Sequence, residues 1–359
     1  METVAPYIRN VALGGAWTAA QRAEFDSVIS LLLNLDNVRG LILETWSWDF
    51  LSGKSTASLL KSNGLLFQTV TILHLNYIRF PSFPLLATFV SGFSLLEELS
   101  FNNVTWDAGG HSLTPMLGVL KDRKWPLRLL QLRTLEVCSC PVKPILYWLF
   151  GDGSDNMSRS SQLEAQVPAL RSLSIPEVLP NEISLVGSVL RKLGSSLHHL
   201  EIGFLTRSHD ELDVTELLGL VKLSQNRFLH KIHIHQLTLF QFPPRAPLPL
   251  SALPISNDST SSSNSSPYSW LIPFLSHVRS KIVEMAFSVW FSEESHLEFI
   301  DWSAMAGILI QPEFSGIRML EVRVLGMGEG RRDVRAWLLR RLTGWPRAKD
   351  VLQVTFVDQ

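Results

Sequence analysis

One apolar spacing recurs along the chain and constrains its fold more than any other feature. At Leu96 to Phe101 the residues read Leu-Glu-Glu-Leu-Ser-Phe, with apolar side chains at the first, fourth and sixth positions. Successive side chains of a strand point to opposite faces, so Leu99 and Phe101 share one face while Glu98 and Ser100 share the other. The same spacing is found at Ile8/Val11/Leu13, Val38/Leu41/Leu43, Val70/Leu73/Leu75, Leu132/Leu135/Val137, Leu170/Leu173/Ile175 and Leu197/Leu200/Ile202. It continues at Leu229/Ile232/Ile234, Ile282/Met285/Phe287, Ile317/Leu320/Val322 and Val351/Val354/Phe356. With about eleven such units, most about 26 to 38 residues apart, the chain reads as a repeat array.

Between the strands lie segments with helical periodicity. Phe25, Val28, Ile29, Leu32 and Leu33 mark the first, within 19–35. Further helices are expected over 55–61, 84–93, 113–121, 143–150, 183–193, 211–223, 270–278, 299–309 and 333–342. Helices are about 10 Å wide while strands pack about 4.8 Å apart, so strand–helix units stacked side by side must curve, with the strands inside. The expected fold class is α/β, a solenoid forming a horseshoe of about eleven units over 1–359 as one domain. Two stretches interrupt the rhythm. Residues 151–166 are rich in Gly, Ser and Asp and read as a loop, and 242–267 combine Pro-rich and Ser-rich runs too polar to offset their ordering entropy, hence a disordered insertion.

Composition narrows the function classes. Although 46% of the residues are hydrophobic, no apolar run reaches the roughly 18 residues of a membrane-spanning helix. Residues 1–9 have neither the basic nor the apolar region of a secretory signal. The only cysteines, Cys138 and Cys140, suit a reducing compartment, so a cytoplasmic or nuclear location is expected. A net charge of −1 gives no general attraction to nucleic acid or anionic lipid.

The strand spacing, the lead-in Val167-Pro168-Ala169-Leu170 and the tryptophans after strands (Trp17, Trp48, Trp106) resemble the divergent leucine-rich-repeat region of F-box proteins, notably the large fungal families. The resemblance covers nearly the whole chain and implies a protein-recognition surface, the part of a ubiquitin ligase that receives substrates. Two departures accompany it. The family's buried asparagine ladder, three residues past each sixth position, is replaced by Ala16, Trp46, Ile78, Val104, Cys140, Val178, Leu205, Leu237, Trp290 and Leu325. The F-box itself needs a helical module ahead of the repeats, and the first unit begins at Ile8. The expectation is repeats without an F-box and at most an indirect ubiquitin-ligase link.

The third, fifth and seventh residues of each unit face the concave side, where solenoids bind partners. They include Glu44, His74, Glu98, Glu136, His199, Glu201, Lys231, His233, His235, Glu284 and Glu321. Of these, Glu98, Glu136, His199, Glu201, Lys231, His233, His235, Glu284 and Glu321 are the candidate partner-binding residues. His199 and Glu201 on one strand face Lys231, His233 and His235 on the next. Imidazoles and a carboxylate can ligate zinc, but Lys231 opposes a cation, so a solvated patch is expected and no metal or cofactor is assigned. A metal-dependent enzyme or metal-binding protein built on these histidines is the alternative.

Other motifs fall short of chemistry. Gly53-Lys54-Ser55 precedes a helix, but a phosphate loop would need glycine where Trp48 stands, so Ser55 reads as a helix cap. Arg331, Arg332, Arg335, Arg340 and Arg341 surround the last helix and read as a solvated face. The sequence contains no GxSxG, HExxH or Gly-rich dinucleotide fingerprint, and no catalytic residue is assigned. The expectation is a monomeric, non-enzymatic scaffold that takes a protein partner on its concave face.

Overall fold

The computed structural model describes residues 8–14, 35, 37–47, 69–107, 129, 131–151, 168–205, 217, 219–238, 268–291, 293–325 and 333–357. The chain divides into two units, Met1–Ile175 and Pro176–Gln359. The expected helices over 19–35, 55–61 and 113–121 lie outside the described residues, as do most of 211–223, the phosphate-loop-like Gly53 to Ser55, and both insertions apart from Gly151.

The first unit contains β1 (Asn10–Gly14), β2 (Gly40–Ser47), β3 (Ile72–Phe80), β4 (Glu98–Asn102), the two-residue β5 (Thr105–Trp106), β6 (Thr134–Cys138) and the start of β7 (Ser172–Val178). The strands pair in parallel in chain order, with β5 set apart against the end of β3. Their register aligns the sequence pattern from strand to strand. Val11, Leu41, Leu73, Leu99, Leu135 and Leu173 form one row, and Leu13, Leu43, Leu75, Phe101 and Val137 form the next. All but the β1 residues are buried. Parallel strands hydrogen-bonded at a fixed register bury the same pattern position in each unit, which is why one spacing recurs.

The backbone repeats as well. The carbonyl one residue past each first anchor accepts two N–H groups from the next unit: Arg39 and Gly40 donate to Arg9, Thr71 and Ile72 to Arg39, Glu97 and Glu98 to Thr71, Arg133 and Thr134 to Glu97, and Arg171 and Ser172 to Arg133. Two residues past the sixth position, Thr45, Tyr77, Asn103 and Ser139 have φ between 51° and 53° or 55°. This left-handed residue directly follows β4 and β6 and kinks β2 and β3 within their length, and the following side chain returns inward, so that Ile78 and Val104 are buried. Those are positions where the asparagine ladder is replaced. At Cys140 the Val104 N–H donates to Sγ at 3.1 Å and the thiol donates to the Cys138 carbonyl at 3.0 Å.

Helix α1 (Phe83–Ser91) starts with proline in its first turn and buries Phe83, Leu86, Ala87, Phe89 and Val90. Helix α2 (Val142–Phe150) is buried around most of its circumference and ends at Gly151, whose φ of 74° suits glycine. Both fall where helical periodicity places them. Trp106 packs edge-on against Phe83 at 5.1 Å, beneath the turn that follows β4.

The second unit contains the end of β7, then β8 (His199–Phe204), β9 (Lys231–Thr238), β10 (Glu284–Trp290), β11 (Met319–Leu325) and β12 (Leu352–Val357). Among β8 to β12 each strand pairs in parallel with the next. The rows run Leu200, Ile232, Met285, Leu320, Leu352 and Ile202, Ile234, Phe287, Val322, Val354, all buried except the half-buried Val354 on the last strand. The last unit departs from the sequence reading by two residues, because Leu352 and not Val354 stands opposite Leu320. A four-residue helix over Ala348–Val351 leads straight into β12, so Val351 is held at the helix end and Leu352 fills the row.

Helix α3 (Ile183–Leu193) matches the expected range and presents Ile183, Leu185, Val186, Val189, Leu190 and Leu193 to the interior. Its last carbonyls are capped from a distance. The buried Asn226 amide donates to the Leu190 and Gly194 carbonyls at 3.0 and 2.9 Å. Helices α4 (Leu271–Ser276), α5 (Trp302–Leu309) and α6 (Val334–Arg341) follow, each starting or ending inside its expected segment, and α7 is the Ala348–Val351 turn. No helix among the described residues is long and apolar enough to cross a membrane.

Candidate functional site

The alternating pattern that buries the leucine rows sends the third, fifth and seventh residues of each unit to the opposite face. Every candidate residue lies on that face, but the structure sorts them into separate groups. In the first unit His74 Nε2 lies 2.8 Å from Glu98 Oε1, and Ser100 donates to Glu136 Oε2 at 2.9 Å. His74 and Glu98 are both about a third exposed, so their pairing contributes on the order of 1 kcal/mol or less.

In the second unit the register sets His199 beside Lys231, Glu201 beside His233 and Gly203 beside His235. One step further Lys231 stands beside Glu284 and His233 beside Ala286. Lys231 Nζ reaches Glu284 Oε2 at 2.5 Å. On β11, Arg323 donates to Glu321 Oε2 at 2.9 Å and Thr355 donates to the other oxygen at 2.8 Å. Both neighbouring cations thus have carboxylate partners, while the charge of Arg323 still acts on His233 and disfavours its protonation.

Glu201 is the centre of the remaining group. His199 Nε2 lies 3.2 Å from its Oε1, His233 Nδ1 3.7 Å from the same oxygen, and His235 Nε2 3.4 Å from Oε2. The two β9 rings lie with centroids 3.7 Å apart and planes tilted by 35°. Gly203 makes room for this arrangement. A Cβ there would come within 2.9 Å of the His235 Cβ and 2.2 Å of the Pro176 carbonyl oxygen.

The expected solvated patch is only partly solvated. The His233 side chain is 4% exposed, against 25% for Glu201 and 21% for His235. Burial pushes the His233 imidazole below its ordinary value; the Glu201 carboxylate opposes that shift and the His235 ring adds to it. His233 is therefore neutral at pH 7. Its Nε2 pairs with Ser288 Oγ at 2.8 Å, a buried hydroxyl able to donate or accept. His235 Nε2 is buried and has no hydrogen-bond partner.

Ser288 was not among the sequence candidates. It is the seventh residue of its unit, so alternation places it on the correct face, but its reach to His233 depends on a bulge. His235 and Gln236 together oppose Ser288 between the pairs Phe287–Ile234 and Val289–Leu237, and Gln236 has a φ of 60°. Glu201, His233 and Ser288 repeat the order of an acid–imidazole–hydroxyl relay. Ser288 and His233 are both buried.

Arg335, Arg340 and Arg341 are the described members of the arginine cluster. Arg335 donates to the Leu352 and Lys349 carbonyls and Arg341 to Glu298, so they tie α6 to its surroundings. No protein-family model matches the chain, and no curated protein sequence matches it.

Proposed function

We propose that the chain is a leucine-rich-repeat-like solenoid serving as a non-catalytic protein-interaction scaffold, similar to the substrate-recognition repeats of F-box proteins. The observation that carries this reading is the constant phase of the repeat. From β2 to β11 the same two pattern positions are buried in successive strands, and in the first unit the same backbone carbonyl receives two N–H groups at each step. Polar and ionisable side chains are thereby presented on the other face at intervals of about 4.8 Å. Such a row suits recognition of an extended or folded protein surface by many small contacts. On this reading the protein is a cytoplasmic or nuclear monomer, its partner a protein bound on the concave face, with any ubiquitin-ligase link made indirectly.

Affinity capture of the tagged chain from its native cells, read by mass spectrometry, tests the proposal. The expected result is a reproducible protein partner that is lost when Glu98 and Glu136 are both changed to lysine, in a variant that circular dichroism shows to be folded. Co-recovery of a ubiquitin-ligase adaptor would support the F-box-like role. Capture unaffected by the double substitution would remove the strand face as the binding surface.

A further inference from the structure

The geometry points to a binding site for a divalent transition-metal ion of the zinc class, held by Glu201, His233 and His235 with His199 supporting the carboxylate. This goes beyond the scaffold reading and does not depend on it.

The three donor atoms lie within 4.8 Å of one another. Zinc–ligand bonds of about 2.0–2.2 Å make tetrahedral edges of about 3.3–3.5 Å. His235 Nε2 lies 3.4 Å from Oε2 and His233 Nδ1 3.7 Å from Oε1, each close to such an edge, and rotation of the Glu201 carboxylate would bring one oxygen to both imidazoles. One carboxylate oxygen is turned to each imidazole, and the His235 nitrogen that would bind is buried with no hydrogen-bond partner. A cation between these groups satisfies it.

The surroundings favour the same occupant. Ligating imidazoles are commonly oriented by a partner on their second nitrogen, and Ser288 supplies one to His233 Nε2 at 2.8 Å. His199 Nε2, 3.2 Å from Oε1, holds the carboxylate from its other side. Lys231, which the sequence sets against any cation, is engaged by Glu284, and Arg323 by Glu321. Imidazole-rich donors select zinc, copper or nickel over magnesium or calcium. Three protein ligands leave a fourth position, and the partial exposure of Glu201 and His235 opens it toward solvent, where water or a partner's carboxylate or imidazole can complete the shell.

The test uses the full-length chain stripped with a chelator and titrated with zinc ions by calorimetry, with cobalt(II) as a spectroscopic probe. One equivalent of zinc should bind, and cobalt should give the visible absorption of a tetrahedral site. Glu201→Gln and His235→Asn should each weaken binding at least about tenfold, and Ser288→Ala, which leaves every ligand in place, should weaken it by about tenfold. His230→Ala, outside the cluster, should leave it unchanged, and circular dichroism in chelator identifies any variant that fails to fold. Absence of stoichiometric zinc binding by the wild-type chain, or binding that folded Glu201→Gln and Ser288→Ala proteins retain in full, overturns the assignment.

Discussion

At the scale of single residues, several positions trade local cost for placement. Tyr77 has a φ of 55° and is 59% exposed, so its ring contributes little burial while its backbone sits in a region that disfavours bulky residues. Tyr77→Asn should raise stability by about 0.5–1 kcal/mol, because asparagine tolerates the left-handed region; denaturant titration would register the change as a higher midpoint. Tyr268 is buried and donates its hydroxyl to the Thr238 carbonyl at 2.5 Å, and burial pushes its ionisation above the ordinary tyrosine range. The native state therefore keeps this proton after the unfolded chain releases it. Its contribution is complete below about pH 10 and declines as pH rises beyond. Tyr268→Phe should lose about 1 kcal/mol at neutral pH and show a shallower loss of stability between about pH 9 and 11, measured by urea unfolding across that range.

Elements are positioned by contacts that neither propensity nor periodicity reveals. Gly187 lies mid-helix in α3, where alanine would ordinarily help by about 1 kcal/mol. Yet a Cβ at that site would stand 2.1 Å from the Leu220 carbonyl oxygen, a backbone atom. The clash should win, so Gly187→Ala should destabilise by about 2 kcal/mol or more despite the better helix former, with thermal melting as the check. At the other end of the same helix, Asn226→Asp would replace a double donor with a carboxylate facing two carbonyls in a fully buried position. The expected loss is about 3 kcal/mol or more at pH 7, larger than that of Asn226→Ala. The equality of ranges between the expected and observed α3 has a plain cause: Gly194, with φ of 46°, ends it, and the apolar stripe is continuous up to Leu193.

For the molecule as a whole, charge governs behaviour in solution more than fold. The net charge is −1 and the sequence isoelectric point is near 6.8. Turbidity of concentrated protein should therefore peak close to pH 6.8 and fall when the pH is lowered to about 5, as the 10 histidines become protonated and the chain gains net positive charge. Retention on an anionic phosphate resin at physiological salt should be weak, because a chain with net charge −1 has no overall attraction to phosphate.

Period-two alternation and the recurrence of apolar triplets by themselves determined the strands other than β5, the two buried rows from β2 to β11 and the face that carries the ionisable residues, because these follow from backbone geometry common to every strand. Glycine and apolar periodicity likewise determined α3. Tertiary structure alone decided which polar groups meet. The pairing of Lys231 with Glu284, the burial of His233, the room that Gly203 leaves for His235 and the bulge that brings Ser288 to His233 all depend on strands separated by long connections. The two-residue shift at Leu352 has the same origin, since a short helix leading into a strand moves its register without altering the apolar pattern nearby. Local alternation specifies a face, whereas distances across that face are set by packing between units.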